Sequence, residues 1–422
     1  MEHSVEEIKK GIKVHLIEDS KFKTNLISVF LTTPLSREYV TYDAVLSSVL
    51  RRGSKNMPTQ EAISKELEEM YGAEFDCGLD KTGDNHVLKF YLESINDKFI
   101  PQNDINMLKT SIEKLIEIIF NPYIKEDNFK KEYVEQEKNK IKQIIEAKID
   151  NKAKYALDRC IEEMYQDKPY GLYKYGYVED LEKIDNKNLY KYYKDLISKC
   201  KIDIFISGEI NEDTIDIIKE NTNIKLLEDR NPIYNSSDND DLETTEEKQI
   251  TESMEVTQGK ITIGMHIADI SEEEKYSALV YNSILGGTAN SKLFQNVREK
   301  ASLAYSASSN YMRYKNNIFI NCGIEIKNYE KALEIIRKQL EDIKNGDFTD
   351  EDIKNAKKGI VSVINGIKDE QDTKIMYFLG QELTNMNVDL EQYISKVQAV
   401  NKDDILNIAN KIKINTIYFL KD

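Results

Sequence analysis

YDAVLSSVLRRGS, Tyr42–Ser54, and YSALVYNSILGGT, Tyr276–Thr288, can be laid directly on each other. Each reads as an apolar helix closing on a glycine. An alternating strand at Ile12–Leu16 and a more buried one at Leu26–Leu31 precede the first helix. A strand at Ile261–Ile267 and a capping box from Ser271 to Glu274 precede the second. Downstream, DNFKKEYVEQEKNKI (Asp127–Ile141) matches EDIKNAKKGIVSVI (Glu351–Ile364). Element order agrees on both sides, so the chain reads as an internal duplication.

The rest of the pattern fills in around these landmarks. In the first half, Ile63, Leu67, Met70 and Tyr71 mark one helical stripe, and Ile105, Leu108, Ile112, Leu115 and Ile119 mark another. A strand at Val87–Leu92 lies between them, a long helix runs from Asp127 past Lys148, and a strand at Ile202–Ile206 closes the half. The second half adds a short helix at Asn290–Lys300, a strand near Tyr305, a strand at Ile318–Ile324, helices from Tyr329 and after Thr349, and a strand at Thr416–Leu420. Hairpins with segregated helices predict an α+β class rather than a doubly wound parallel sheet. The expected division is a domain over 1–228, an acidic solvated linker over 229–259 containing SSDNDDLETTEEK, and a domain over 260–422.

The chain has 422 residues, 40 % hydrophobic and 32 % charged, which suits two globular domains. A net charge of −16 with no basic stripe argues against nucleic acid. MEHSVEEIKKG has no apolar signal region and no apolar run is long enough to span a bilayer, so no membrane role and a cytoplasmic location are expected. Cys77, Cys160, Cys200 and Cys322 show no paired spacing and read as reduced packing residues.

Catalytic signatures are sparse. The histidines are His3, His15, His86 and His266, and none lies within four residues of another. A helical zinc pair is therefore impossible, and the strand histidines read as surface or partly satisfied groups. G-x-S-x-G is absent, so Ser47 and Ser48 do not form a nucleophile elbow. Gly286-Gly287-Thr288 lacks the ending of a phosphate loop and reads as a helix stop. Arg298 and Tyr305, seven apart behind that stop, could together donate to a developing oxyanion. They could equally be a helix-terminal cation and a half-buried strand aromatic.

GGTANSKLFQNVREKASLAYSASS, Gly286–Ser309, resembles the second-half signature of the insulinase or pitrilysin-type metallopeptidases. DKPYGLYKYG (Asp167–Gly176) and IFISGEI (Ile204–Ile210) extend the resemblance, which then covers essentially the whole chain. It implies two homologous α/β-roll domains, each a two-layer sandwich, forming half of a clamshell. Active members carry H-x-x-E-H on the first helix and a third ligand, a Glu, on the long helix. Here those positions fall on Ala44, Ser47 and Ser48, and on Gln143 and Ile144. No cofactor is expected, since none of these side chains replaces imidazole or carboxylate at zinc.

In bacterial members built from paired subunits, one chain holds the metal motif and the other the Arg and Tyr. The resemblance thus implies a zinc-bearing homologous subunit as partner in a heterodimer, a peptide or unfolded polypeptide as substrate, and Arg298 and Tyr305 acting in trans on its carbonyl. It extends to a zinc-less branch associated with the aminopentanol modification of elongation factor P. A peptide-binding scaffold or assembly factor without proteolysis, and an enzyme of unrecognised chemistry, are the alternatives.

Overall fold

The computed structural model describes residues 2–101, 106–235, 242 and 246–422. It divides into two units. The first contains β1 (Glu2–Lys9), β2 (Ile12–Glu18), β3 (Thr24–Pro34), β4 (Glu74–Thr82), β5 (Asn85–Ile95), a small β6 (Ile124–Lys125) and β7 (Asn128–Phe129) ladder, and β8 (Lys201–Gly208). Its main sheet runs β1-β2-β8-β3-β5-β4. The second unit contains β9 (Lys248–Ser253), β10 (Gly259–Ile267), β11 (Ala304–Met312), β12 (Asn317–Ile324) and β13 (Ile412–Lys421), ordered β11-β12-β10-β13-β9.

The second order is the first read backwards, less β1. β2 pairs with β8 in parallel, as β9 does with β13, and the other neighbours are antiparallel. The α+β reading and the duplication therefore hold at the level of strand pairing. Period-two alternation explains how each sheet is covered. In β3, Ile27, Val29 and Leu31 join the helix-side core with Val45, Leu46, Leu108 and Ile112, whereas Leu26 and Phe30 point to the other face. Both faces being buried, β3 is near-continuously apolar.

That second face corrects the contiguous domain division. Glu370–Leu383 belongs to the first unit and Ala147–Gly171 to the second. The helix Gln371–Leu383 buries Ile375, Leu379 and Leu383 against Ile17, Leu26, Phe30 and Phe205. The helix Lys152–Met164 buries Ala156, Cys160 and Met164 with Phe319, Tyr418 and Leu420. Each half of the chain thus supplies a helix to the other half's sheet. An apolar stripe shows that a helix has a buried face and is silent about which sheet it meets.

The linker expectation is corrected as well. Residues 236–241 and 243–245 lie outside the described residues, as does Ile105. Within the rest, Lys248–Ser253 is strand β9, and Gly259 starts β10. Arg230 is buried, with its N–H donating to Lys10 O at 3.0 Å. The long helix ends at Glu146, passing into a 3-10 turn, and Tyr71 is exposed with a left-handed backbone. No described helix is long and apolar enough to cross a membrane.

Candidate functional site

The helix Val40–Leu50 packs its apolar residues into the first unit's core. Ala44, where the resemblance leads one to expect the first ligand, is fully buried. Ser47, at the expected general-base position, is buried and donates its hydroxyl to Ala44 O at 3.1 Å. Ser48 is half-buried, while Gln143 and Ile144 are exposed in the last turn of the helix Lys131–Glu146. A methyl, two hydroxyls, an amide and an alkyl chain supply no thiolate, imidazole or carboxylate, so these residues do not fit zinc. Among the described residues no cluster of three or more His, Cys, Asp or Glu side chains could hold a metal ion.

The surrounding polar residues instead close on one another. Asp43, one position before Ala44, accepts a hydrogen bond from Tyr192 Oη at 2.6 Å and contacts His86 Nδ1 at 2.8 Å. Asp43 and His86 are fully buried, and His86 Nε2 has no partner among the described residues. Arg52 Nη1 pairs with the buried Glu137 at 3.1 Å, and Lys140 reaches the same carboxylate at 2.8 Å. Sequence reasoning missed this set. The available signal was a lone Asp on an otherwise apolar helix face, a group that burial tolerates only when paired.

His15 and His266 are buried too, which corrects the surface reading. His15 Nε2 lies 3.1 Å from Asp203, which also binds Lys201, and Glu382 contacts Lys201 at 3.1 Å and Lys13 at 2.6 Å. Burial would raise the Asp203 carboxyl, but Lys201 and His15 hold it down at about 2. His3 stacks on Phe378 with ring centres 3.9 Å apart. Burial, with His15 beside it, lowers His3 to about 4 against the opposing pull of Glu382. These groups tie the helix Gln371–Leu383 to the sheet.

The second half keeps its motif in a different setting. Ser283–Gly287 and Phe294–Lys300 are π-helical, with Leu285, Leu293 and Val297 buried beneath. Such widened turns recur at functional positions. Gly286 sits against β11, where an added Cβ would lie 2.5 Å from Ser309 N. The double glycine is thus a close approach as well as a helix stop. Arg298 lies in the last turn of the second π-helical segment. Its guanidinium stands over Phe294, 4.6 Å from the ring centre, and its side chain is 45 % exposed. Glu299 Oε1 is 3.6 Å from Nε, beyond hydrogen-bond range.

Ser302 takes a positive φ of 52°, and β11 follows. Ala304 is opposite Ile324 and Ser306 opposite Gly323, so Tyr305 is the extra residue of a bulge. Bulges re-aim side chains, and Tyr305 is 81 % exposed. Exposure replaces the half-buried strand aromatic that was the alternative for Tyr305. Arg298 and Tyr305 therefore both stand exposed along one helix-to-strand connection.

The family profile described as the peptidase M16 inactive domain matches residues 183–360. The probable inactive metalloprotease YmfF of Bacillus subtilis (strain 168) is 33 % identical over 418 residues, covering 97 % of this chain and 96 % of that one. The uncharacterized zinc protease YmxG of the same organism is 23 % identical over 321 residues, 72 % of each chain. A solved structure of a conserved protein from Enterococcus faecalis V583 superposes with a TM-score of 0.88 at 27 % identity, covering 100 % of this chain and 99 % of that one. With a duplicated fold, a near full-length relative at 33 % identity and the matching family profile, the chain belongs to the M16 (insulinase or pitrilysin-type) metallopeptidase family, as an inactive metalloprotease-like member.

Proposed function

We propose that this chain is the zinc-less subunit of a paired peptidase, lending Arg298 and Tyr305 to a substrate held with a zinc-bearing homologue. The observation that carries the reading is the asymmetry between two sites. Every metal-site position is filled by a residue that cannot bind zinc, while Arg298 and Tyr305 remain exposed on a glycine-dependent, bulged corner. The homologue supplies the nucleophile. As it adds to the scissile carbonyl, negative charge gathers on the oxygen. A guanidinium and a phenol in hydrogen-bond range stabilise that charge more than they stabilise the neutral carbonyl, which lowers the barrier. Arg298, a charged donor, contributes the larger share.

The test is reconstitution with a homologue that carries an intact H-x-x-E-H. The expected outcome is a complex with peptidase turnover that neither chain has alone. Arg298→Ala or Tyr305→Phe then lowers kcat by roughly 10²-fold or more, with melting temperature and pairing unchanged. An active complex indifferent to both substitutions overturns the role of the pair. A complex that forms and holds peptide without cleaving it establishes the scaffold reading instead.

A further inference from the structure

A groove of about 830 Å³ in the second unit lies between the helix Asp350–Ile367 and the chain around Gln398–Lys402. Lys354, Lys357, Lys358 and Lys402 line it, against one carboxylate, Asp350. The formal balance is +3, four lysines less one aspartate, on a chain whose net charge is −16. Its lining also includes the apolar side chains of Ile353, Val361 and Val400.

The four ammonium groups are poorly compensated. Lys357 donates to Gln398 O at 2.7 Å and Lys402 to Phe348 O at 3.0 Å. Both acceptors are neutral carbonyls, which hold the stems in place and leave the charges standing. Lys354 has a carboxylate nearby, Glu351, at 3.7 Å on an exposed face, an arrangement worth little. By contrast, Lys338 and Lys411 in the same unit lie within 2.8 Å and 2.6 Å of a carboxylate oxygen. A concave site gathering weakly compensated cations over apolar side chains attracts an anionic ligand.

We infer that this groove docks an acidic polypeptide segment, with glutamate or aspartate side chains on the lysines and interspersed aliphatic side chains over Val361 and Val400. A single-stranded nucleic acid fits less well. The lining offers no aromatic ring for base stacking and no arginine fork for phosphate. The inference is independent of the paired-peptidase reading, because it involves neither Arg298 nor Tyr305.

The probe is a fluorescein-labelled peptide of glutamates with interspersed leucines, titrated with the full chain and read by fluorescence anisotropy. Saturable binding that weakens with added salt is expected. Lys354→Glu with Lys358→Glu should weaken it by roughly tenfold or more. Lys354 and Lys358 are exposed, so circular dichroism and the melting temperature of the variant should match the parent. Lys331→Glu with Lys338→Glu, on the helix Tyr329–Lys344 of the same unit, applies the same charge change elsewhere and should leave binding within about twofold. Absence of binding overturns the proposal, as does equal loss in the two double variants. An oligothymidylate of equal charge that binds as tightly through Lys354 and Lys358 also overturns it, because the groove would then be a nucleic-acid site.

Discussion

The helix Val40–Leu50 and the segment Glu274–Gly287 occupy corresponding places in the two units, each following the strand at the middle of its sheet, yet they have been filled differently. The first is absorbed into the core, with Ala44 buried where a ligand is expected and Asp43 locked to His86 and Tyr192. The second ends in a π-helical turn on Gly286, and the chain beyond it presents Arg298 and Tyr305 outward. A duplicated fold can thus keep its strand pairing while one copy packs the corresponding helix into its core and the other ends it in a widened turn beside exposed polar groups. The exchanged helices share one plan: Ile375, Leu379 and Leu383 pack on the first sheet beside the Lys13–Glu382 pair, and Ala156, Cys160 and Met164 pack on the second beside the Arg159–Glu252 pair.

The strongest test of this contrast is Asp43→Ala. If Asp43 serves packing, its loss leaves His86 and Tyr192 buried without their acceptor and costs about 3 kcal/mol or more. Denaturant unfolding should show it, and a variant as stable as the parent would break the packing account of the first unit. A smaller loss is expected from Gly286→Ala, whose Cβ meets the backbone of Ser309; overpacking of this kind costs about 1–3 kcal/mol. Gly287→Ala, with its nearest contact at 3.3 Å, serves as the milder comparison. Equal effects from the two would remove the close-approach explanation of the double glycine.

Acid should sharpen the comparison further, with a gradual effect. Unfolded His3 takes a proton near pH 6.5, and folded His3 only near 4. The unfolded chain binds more protons between those values, so stability falls as pH drops from about 6.5 towards 4. Asp203, held down at about 2 from an ordinary 3.8, adds a second loss as pH falls through that lower range. His3→Asn should flatten the upper slope of melting temperature against pH and leave the lower one. An unchanged upper slope would show that His3 does not govern it. The smallest expected effect is that of metal. Elemental analysis should find no stoichiometric zinc, and a chelator should leave the melting temperature unchanged. One zinc per chain, lost on Asp43 or His86 substitution, would show that the first unit had kept a metal site in another form.

Much of this was written in local pattern. The matched segments at Tyr42 and Tyr276, the two-faced apolar run of β3 and the motif from Gly286 to Ser309 are short-range features, and period, capping and turn chemistry act over a few residues. They were enough for the α+β class, the duplication and the family resemblance. Tertiary structure decided what depends on distant partners. The helices Lys152–Met164 and Gln371–Leu383 change units because each sheet has a second apolar face to cover, and an amphipathic stripe carries no address. Asp43 meets Tyr192 across 149 positions, and the lysine groove joins Lys354 to Lys402. Tyr305 turns outward because the β11–β12 register skips it, and register is a property of two strands together.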